Sequence, residues 1–491
     1  MIAQHYPILQ VAIPLIAAPL CSLLPKSRLP WLFATVISWF TFIISLFLMQ
    51  HVRSHGVVTY ALGNWAAPWG IQYHIDVISA FVLVIVSAIA SITLLASRKL
   101  VENEISASKH SLFYAAFLLC LTGLLGIVAT GDAFNVFVFL EISSLSSYAL
   151  IAMGENRKAL TAAYEYLIMG TIGATFILIG IGLLYMQTGT LNMLDLQVRI
   201  HEIDGFRSVH AAFAFFTVGI CLKLALFPLH HWLPNAYAYA PSIISIFLAA
   251  TATKVALYLL YRVFYTIFGF EFSFDTLNLG YILLPLSIIA IVISAFTAIY
   301  QPDVKRLLAY SSLGQIGYMT LGIAIGTQAG LIASIIHLFN HAFIKGSLFL
   351  CMACIVSRIH SNQLVHLAGA AKVMPWTCAA FVVGGLALIG VPLTSGFISK
   401  WYLVLSVLEN DWWWLAIIVL FTSLLSVIYI WRVVEQMYFH EPHDKCVGVK
   451  QEAPLLLLIC TWVMILSTIY FGINTSYPVE MATLAAEALL N

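Results

Sequence analysis

The sequence predicts an all-α, polytopic membrane protein with about fourteen transmembrane helices, and three observations lead to this fold class. They are the composition, the lengths of the apolar segments and the distribution of basic residues. Of the 491 residues, 62% are hydrophobic and only 9% are charged, whereas about 25% of residues in soluble domains are charged. A net charge of +1 leaves no basic stripe for phosphates, which excludes nucleic acid as a partner.

Apolar segments long enough to cross a bilayer recur along the whole chain. A helix needs about 20 apolar residues to span the hydrocarbon core. Fourteen windows approach or exceed this length, namely residues 7–24, 31–50, 76–97, 112–130, 133–153, 161–187, 209–227, 242–265, 280–300, 307–327, 329–357, 375–408, 412–431 and 454–472. Because the first window has no Ala-x-Ala cleavage site, we expect a retained span rather than a signal peptide.

The basic residues support this count and set the orientation. With the N-terminus outside, fourteen lysines and arginines fall in connections assigned to the cytoplasm, among them Lys26 and Lys450. The opposite side receives four arginines, namely Arg53, Arg199, Arg207 and Arg262. This asymmetry is the one that the positive-inside rule requires.

The remaining basic residues lie inside the apolar windows, and all of them are lysines: Lys223, Lys254, Lys345 and Lys400. Glu141 lies inside the fifth window. Exposing five ionised groups to lipid would cost roughly 10–15 kcal/mol, so we expect them to face the bundle interior or water. An ion pathway is the default interpretation of such residues. The alternative is snorkelling near helix ends, or a structural ion pair.

The choice of lysine points to proton transfer. Guanidinium groups stay protonated, whereas burial favours the neutral amine of a lysine and a nearby carboxylate favours its ammonium. A Glu–Lys pair whose separation varies can therefore load and unload one proton. His337, His341 and Lys345 recur at intervals of four on one helix face. A single buried histidine is more often a core group, but three titratable residues in register favour a proton relay.

Interrupted helices are predicted in windows 7 and 12. The residues that indicate the breaks are Pro228, Pro234 and Pro241 after Lys223, and Gly390, Pro392 and Gly396 before Lys400. Irregular backbone at membrane depth is tolerated only where protein or a hydrated cavity satisfies it, and paired interruptions indicate a transport site built from repeats. The two interruptions lie five windows apart, in windows 4–8 and windows 9–13. Because five is an odd number of spans, the second set would have the opposite orientation in the membrane, although the sequence identity between the two sets is too weak to establish a repeat.

Five motifs together resemble the antiporter-like membrane subunits shared by respiratory complex I, membrane-bound hydrogenases and multisubunit Mrp-type sodium/proton antiporters. They are Glu141 in NVFVFLE, K-x4-P-L-H-x-W-L-P from Lys223, Lys254 in ATKVALY, H-x3-H-A-x2-K from His337, and G-x-P-x3-G-F-x2-K from Gly390. The stretch GDAFNVFVFLEISSLSSYALIAMG is most similar to the D-type component of Mrp antiporters. Because the chain ends soon after window 14, we expect no long lateral helix of the kind appended to the largest members.

The resemblance implies two inverted five-helix repeats. The implied segments are residues 1–110 with three helices, 111–270 as the first repeat, 271–440 as the second repeat, and 441–491 with a cytoplasmic loop and the last helix. It also implies that Glu141 is a gating carboxylate paired with Lys223. Lys254 would connect the halves, His337 and His341 would form the central relay, and Lys400 would end the second channel. Where the first repeat has Glu141, the second offers Gln315 and Tyr318.

The implied function is that of a proton-translocating transporter subunit, not an enzyme, in a bacterial cytoplasmic membrane. Its partners would be other membrane subunits of a hetero-oligomeric complex, protons, monovalent cations and lipid. The alternative is a pump subunit of a redox-driven complex. No flavin, nucleotide or cluster motif occurs in the sequence, and we expect neither a cofactor nor a metal ion. A scaffold is a third possibility, but it would not need lysines in mid-membrane.

Three further patterns receive structural interpretations. HEPHDKC, residues 440–446, suggests a metal site but lies in a charged connection, which favours a solvated loop. Residues 60–76 alternate weakly and contain Trp65 and Trp69, which favours a short hairpin at the membrane interface. Cys351 and Cys354 form a C-x-x-C on a helix without a βαβ pattern, which favours packing over redox chemistry.

Overall fold

The computed structural model describes most of the chain. The described ranges are residues 2–25, 28–202, 207–449 and 451–490. Two residues of the charge census, Lys26 and Lys450, lie outside these ranges. The described part is almost entirely helical, which confirms the predicted fold class.

The helices follow one another with short connections. The first eleven are α1 Tyr6–Leu23, α2 Leu29–His55, α3 Val77–Glu104, α4 His110–Ala129, α5 Ala133–Ala152, α6 Arg157–Thr188, α7 Met193–Glu202, α8 Arg207–Leu224, α9 Trp232–Tyr239, α10 Ser242–Ala250 and α11 Ala252–Tyr261. The others are α12 Leu279–Ile299, α13 Val304–Ala324, α14 Gln328–Ile359, α15 Ala370–Val373, α16 Pro375–Ile389, α17 Ser395–Leu408, α18 Trp413–Phe439, α19 Asp444–Val447, α20 Leu455–Ile473 and α21 Ser476–Leu490.

In the described ranges, twelve helices are long and apolar enough to cross a membrane. Window 10 holds α13, and window 12 holds the shorter α16 and α17; none of these three is among the twelve. The count of fourteen spans therefore remains a prediction. Large apolar side chains are exposed along α2, α6, α18 and α20, as expected of helices that face lipid or partner helices.

A two-stranded hairpin follows α2. Strand β1, Val58–Ala61, pairs antiparallel with β2, Gln72–Ile75, so that Val58 lies opposite Ile75. Between the strands, Trp65 and Trp69 are exposed. The predicted hairpin in residues 60–76 is therefore confirmed.

Helix interruptions occur in windows 7 and 12, as predicted. After α8 the chain turns at Ala225, which has a left-handed φ of 61°, and Pro228 lies in the break. Pro234 lies instead in the first turn of α9, where a proline is tolerated because its nitrogen needs no helical partner. Pro241 immediately precedes α10.

The second interruption separates α16 from α17. Gly390 adopts φ 90°, a conformation that favours glycine, and Pro392 lies in the break. Gly396 lies in the first turn of α17 rather than in the break. A Cβ atom at Gly396 would collide with the Ala387 carbonyl oxygen, so the glycine lets α17 approach the end of α16.

A third interruption was not predicted. Window 8 forms one span, Ser242–Ile267, as predicted, but its helical backbone is irregular at Thr251, where α10 ends and α11 begins. The Thr251 hydroxyl donates a 2.6 Å hydrogen bond to the Phe247 carbonyl oxygen and so competes with the helical backbone. No proline or glycine marks this position, so the sequence carried no strong signal.

Helix α14 occupies the centre of the bundle. It packs against α3, α10, α13, α16, α17, α20 and α21. Nearly every residue from Gly330 to Ile355 is buried, so α14 is surrounded on all sides. The histidines and the lysine of α14 are therefore held deep within the protein.

Candidate functional site

Three of the intramembrane lysines lie at the C-terminal ends of interrupted helices. Lys223 belongs to the last turn of α8, Lys254 lies beside the end of α10, and Lys400 lies beside the end of α16. The last carbonyl groups of a helix have no partner within it and carry the negative end of its dipole. A helix end can therefore stabilise an ammonium group without a carboxylate, by about 0.3–2 kcal/mol.

Lys223 is held mainly by a hydroxyl group and only weakly by a carboxylate. Its Nζ donates a 2.8 Å hydrogen bond to Ser144 Oγ and lies 4.0 Å from Glu141 Oε1. Ser144 and Glu141 are three residues apart on α5 and so present neighbouring groups to the same lysine. The Glu141 side chain is 27% exposed, whereas that of Lys223 is 7% exposed. The carboxylate therefore lies at the edge of the bundle and the amine inside it.

Lys254 lies at the unpredicted break. Its Nζ donates to the carbonyl oxygen of Ala249, in the last turn of α10, and lies 3.3 Å from Thr253 Oγ1. The side chain is fully buried. The interruption at Thr251 thus supplies the acceptor that an unbroken helix would have used for its own backbone.

Lys400 lies at the end of α16 in a similar way. Its Nζ donates to the carbonyl oxygens of Ile389, at 2.8 Å, and Leu388, at 3.3 Å. The same ammonium lies 5.2 Å from the centre of the Tyr318 ring, which is within the range of a cation–π contact. The partners of the Lys400 amine are thus two carbonyls and an aromatic ring, with no acidic partner among the described residues.

His337 has an oxygen within hydrogen-bond distance of each ring nitrogen. Nε2 lies 2.9 Å from Gln315 Oε1, and Nδ1 lies 2.8 Å from Ser399 Oγ. The Ser399 hydroxyl also lies 3.2 Å from the Gly396 carbonyl oxygen. An imidazolium can donate to both partners while Ser399 donates to Gly396, and a neutral ring can accept from Ser399 instead. The surroundings therefore fit both charge states.

His341 lies one helical turn further along α14. Its ring is parallel to that of His337, with centroids 6.1 Å apart. Neither of its ring nitrogens has a hydrogen-bond partner among the described residues, although the side chain is fully buried. The charges of Lys254 and Lys345 lie close enough to act on this imidazole. His341 is therefore placed between these two lysines and His337.

Lys345 completes the row on α14. Its Nζ donates a 2.9 Å hydrogen bond to the Leu308 carbonyl oxygen and a second one to Ser311 Oγ, both on α13. The side chain is fully buried. Lys345 is thus bound to the neighbouring helix rather than extended to a membrane surface, which argues against snorkelling.

The structure divides the predicted relay into two groups. One group is centred on the two histidines. His341 is within electrostatic range of Lys254, Lys345 and His337, and His337 is within electrostatic range of Lys400. No hydrogen bond or ion pair within the described ranges joins this group to Lys223. Aromatic rings lie next to the Lys223 end: Tyr166 stacks on Trp232 with centroids 4.0 Å apart and meets Tyr148 edge-on at 4.7 Å.

An arginine that the sequence assigned to an outer connection is buried in the structure. Arg262 forms an ion pair with Asp76, donates to Ser79 Oγ at 2.7 Å and donates to Tyr258 at 2.8 Å. Nothing in the interpretation of the sequence placed Arg262 next to Asp76. The available signal was the spacing of Lys254, Tyr258 and Arg262, which recur at intervals of four along one face.

The described residues contain no group of three or more His, Cys, Asp or Glu placed to hold a metal ion. In the 440–446 loop, the ring of His443 lies 4.8 Å from that of His366. Burial, with the nearby charges of Lys445 and His443, lowers the pKa of His366 below its usual range. The eight cysteines are all buried and free, which fits packing.

Comparison with known proteins gives the chain a family context. The family model described as "NADH:quinone oxidoreductase/Mrp antiporter, TM" matches residues 130–426, which contain Glu141, all the intramembrane lysines and both histidines.

Two relatives and one solved structure extend the similarity over most of the chain. The N-type component of the NADH-quinone oxidoreductase of Desulforudis audaxviator (strain MP104C) is 39% identical over 88% of this chain and 86% of its own length. The D-type component of the Na(+)/H(+) antiporter of Bacillus subtilis (strain 168) is 29% identical over 99% of this chain and 98% of its own. A chain of the Mrp complex from Dietzia sp. DQ12-45-1b superposes with a TM-score of 0.91 at 23% identity, covering 100% of this chain and 98% of that chain.

Proposed function

This chain belongs to the NADH:quinone oxidoreductase/Mrp antiporter transmembrane family, and we propose that it is the proton-translocating subunit of a multisubunit monovalent cation (Na⁺)/proton antiporter. In this proposal it resides in the bacterial cytoplasmic membrane with its N-terminus outside. Its partners are other membrane subunits, and its substrates are protons and monovalent cations. The antiporter assignment takes support from the similarity to the Bacillus subtilis antiporter component over almost the whole chain.

One observation carries the proposal: a row of buried amines and imidazoles crosses the centre of the bundle. Lys254, His341, His337 and Lys400 are all buried. The two imidazole rings lie 6.1 Å apart, the Tyr318 ring lies next to both His337 and Lys400, and Lys254 is within electrostatic range of both histidines. Ionisable residues at membrane depth are costly, so their presence in a row indicates an ion pathway. Each of these groups can both take up and release a proton, which an arginine could not do.

Proton transfer in the first half depends on the Glu141–Lys223 distance. When the two groups are close, the carboxylate stabilises the ammonium; when they separate, the buried ammonium loses that stabilisation and releases its proton toward the centre. The observed separation of 4.0 Å is at the outer limit of an ion pair. A small movement of α5 relative to α8 is therefore enough to change the interaction.

In the second half the proton moves between His341, His337 and Lys400. His337 can bond its neighbours in either charge state, so protonation at this site needs little rearrangement. His341 has no protein partner within the described ranges. Water lining a polar cavity is the usual partner for such groups, and a hydrated axis would also connect Lys223 to Lys254.

We further propose the two inverted repeats, residues 111–270 and 271–440, as the basis of the two half-channels. The interruptions between α8 and α9 and between α16 and α17 occupy comparable places five windows apart. Residues 1–110 and 441–491 then flank the repeats. In this arrangement Lys223 and Lys400 are counterparts, and each lies at the end of an interrupted helix.

A second candidate function is favoured by the relative with 39% identity, which is named as part of an NADH-quinone oxidoreductase. In that case the same relay would pump protons within a redox-driven complex. The composition of the purified native complex separates the two functions. Small membrane subunits without redox centres would support the antiporter, whereas iron–sulfur subunits would support the pump.

Replacement of the Glu141–Lys223 pair tests the relay. We expect Glu141→Gln and Lys223→Ala each to reduce proton flux by about 100-fold or more, because positioned proton donors and acceptors contribute about 10²–10⁴ to the rate of proton transfer. The measurement is the collapse of a respiration-generated pH gradient in everted vesicles that contain the full complex, started with NaCl for the antiporter; for the pump, gradient formation is started with NADH.

Glu435→Gln is the matched control, because Glu435 is an exposed carboxylate at the end of α18. It should transport at the wild-type rate. Rates are normalised to the amount of assembled complex. Wild-type flux in Glu141→Gln and Lys223→Ala would contradict the relay.

A further inference from the structure

A cleft of about 230 Å³ opens on the face that the charge distribution assigns to the cytoplasm. The ends of α3, α10, α13 and α14 surround it. The titratable side chains that line it are Glu104, Glu155, Tyr239, Lys305 and His360. Sequence analysis counted Lys305 among the residues of a connection, but the structure places it in the first turn of α13, with only 5% of the residue exposed.

Lys305 is tied to the cleft wall through one serine. Its Nζ donates a 3.0 Å hydrogen bond to Ser242 Oγ, and the backbone nitrogen of Ser242 donates in turn to Glu104 Oε2. The carboxylates of Glu104 and Asp303 both act electrostatically on the amine. Lys305 is therefore a nearly buried amine in the cleft wall, within electrostatic range of Glu104, which lines the cleft, and of Asp303, which is itself buried.

The partner of the Lys305 amine, a serine hydroxyl at the start of α10, differs from the helix-end carbonyls that bind Lys254 and Lys400. The first turn of a helix carries the positive end of the dipole, which disfavours a cation. Lys254 also lies in a first turn, that of α11, but its amine reaches the last turn of α10, and the amine of Lys400 reaches the end of α16. A buried ammonium at residue 305 depends on Glu104 and Asp303 for its stability, and the amine of lysine, unlike guanidinium, can give up its proton.

The first two turns of α13 connect the cleft with Lys345 of α14. Leu308 is three residues after Lys305, and its carbonyl oxygen accepts hydrogen bonds from Lys345 and from the Ser311 hydroxyl. Ser311 also accepts from Lys345. Six residues of helix span about 9 Å, so Ser311, which binds Lys345, lies roughly two turns along α13 from Lys305.

We propose that Lys305 is the port through which protons pass between the cytoplasmic solvent and the central row, by way of Ser311 and Lys345. This inference rests on the proposed function. On entry, the Lys305 amine takes up a proton from water in the cleft, and its ammonium returns to the neutral amine by giving a proton to water molecules that carry it over the roughly 9 Å to the Ser311 hydroxyl. The hydroxyl donates its own proton to the neutral Lys345 amine, so that Ser311 is unchanged. Lys345 lies beside His341, and exit follows the same steps in reverse.

Two replacements separate a port from a structural ion pair. Lys305→Arg keeps the charge and the donors but cannot release a proton, and Lys305→Ala removes the amine. We expect both to reduce proton flux by about 10-fold or more in everted vesicles with the full complex. A purely structural lysine would be replaced by arginine with little loss. The control is Lys109→Ala, because Lys109 is an exposed lysine on the same predicted face.

Chemical rescue gives a second readout that does not depend on folding of one variant. Methylamine is small enough to enter a cleft of 230 Å³, so it should restore part of the flux in Lys305→Ala. It should not rescue Lys345→Ala, because Lys345 is fully buried and does not line the cleft.

The port and the relay fail in different ways. Wild-type flux in Lys305→Arg, or in Lys305→Ala without methylamine, would overturn the port while Glu141→Gln and Lys223→Ala remain inactive. Wild-type flux in those two variants would instead overturn the proposed function. Loss of flux in both Lys305 variants with normal assembly, and rescue limited to Lys305→Ala, is the result expected for the port.

Discussion

Lys223 and Lys400, the two ends of the proposed relay, have different surroundings. At one end Lys223 faces Ser144 and the partly exposed Glu141, with the carboxylate 4.0 Å away. At the other end Lys400 is held by helix-end carbonyls and has Tyr318 beside it. The first end depends on a carboxylate that a partner subunit or lipid can cover, whereas the second is satisfied within the chain. We infer that control from outside acts at Glu141 and that the Lys400 end serves as the fixed part of the relay.

Among the replacements that test the difference between the two ends, Lys400→Ala is expected to reduce proton flux the most. Lys400→Ala should reduce proton flux by about 100-fold or more, because it removes the amine from the end of the row. Loss of the amine leaves the Ile389 carbonyl without its donor, so assembly is measured alongside flux in everted vesicles. Lys372→Ala, outside the central row, is the control. Flux close to wild type would show that the two ends are not parts of one relay.

A smaller effect is expected at Ser399. Ser399→Ala removes the oxygen next to His337 Nδ1, and a hydrogen bond to a charged group contributes about 1.5–3 kcal/mol. If transfer passes through the imidazolium, flux should fall by roughly 10-fold or more, since about 1.4 kcal/mol corresponds to tenfold. Ser406→Ala, on the same helix and bonded only to the Leu403 carbonyl, should have little effect. Equal rates in both variants would contradict a charged His337.

The smallest effect on flux is expected for replacement of the buried Arg262–Asp76 pair. This pair tests whether a buried arginine, unlike the buried lysines, has only a structural role. Asp76→Ala leaves Arg262 without its carboxylate and should lower the free energy of unfolding by about 3–5 kcal/mol. Flux per folded complex should change by only about twofold, since a guanidinium does not exchange protons. Thermal unfolding and flux are measured together. A large loss of flux at unchanged stability would place Arg262 in the proton path.

Glu480→Ala is the control for that measurement. It removes the exposed partner of Arg53, and exposed ion pairs contribute about 0–1 kcal/mol. Its effect on thermal unfolding should therefore be well below that of Asp76→Ala.

The features that the sequence predicted well are those with a local cause. Lysines within apolar windows and the proline and glycine residues of windows 7 and 12 are visible in one stretch of chain, so the interrupted helices could be located in advance. The same holds for the row on α14, because residues four apart must share a helix face. The pairing of Lys223 with Glu141 was also predicted, but that prediction came from the resemblance to antiporter-like subunits and not from the residues themselves.

The features that could not be predicted depend on contacts between distant segments. Ser144, the main partner of Lys223, is 79 residues away in the chain, and nothing in either window indicates that the two meet. The break at Thr251 has no proline or glycine. The charges of Arg262 and Lys305 suggested solvent-exposed connections, and only their partners in other helices, Asp76 and Ser242, explain their burial.

Replacement of Lys223 by arginine tests the central claim most directly, because Lys223→Arg keeps a permanent positive charge in the bundle but removes the ability to release a proton. The measurement is proton flux per assembled complex in everted vesicles. The account predicts flux close to the background of vesicles without the complex, with normal assembly. Flux equal to wild type in the assembled Lys223→Arg complex would show that the charge alone matters, and would contradict a relay in which the buried amine passes protons.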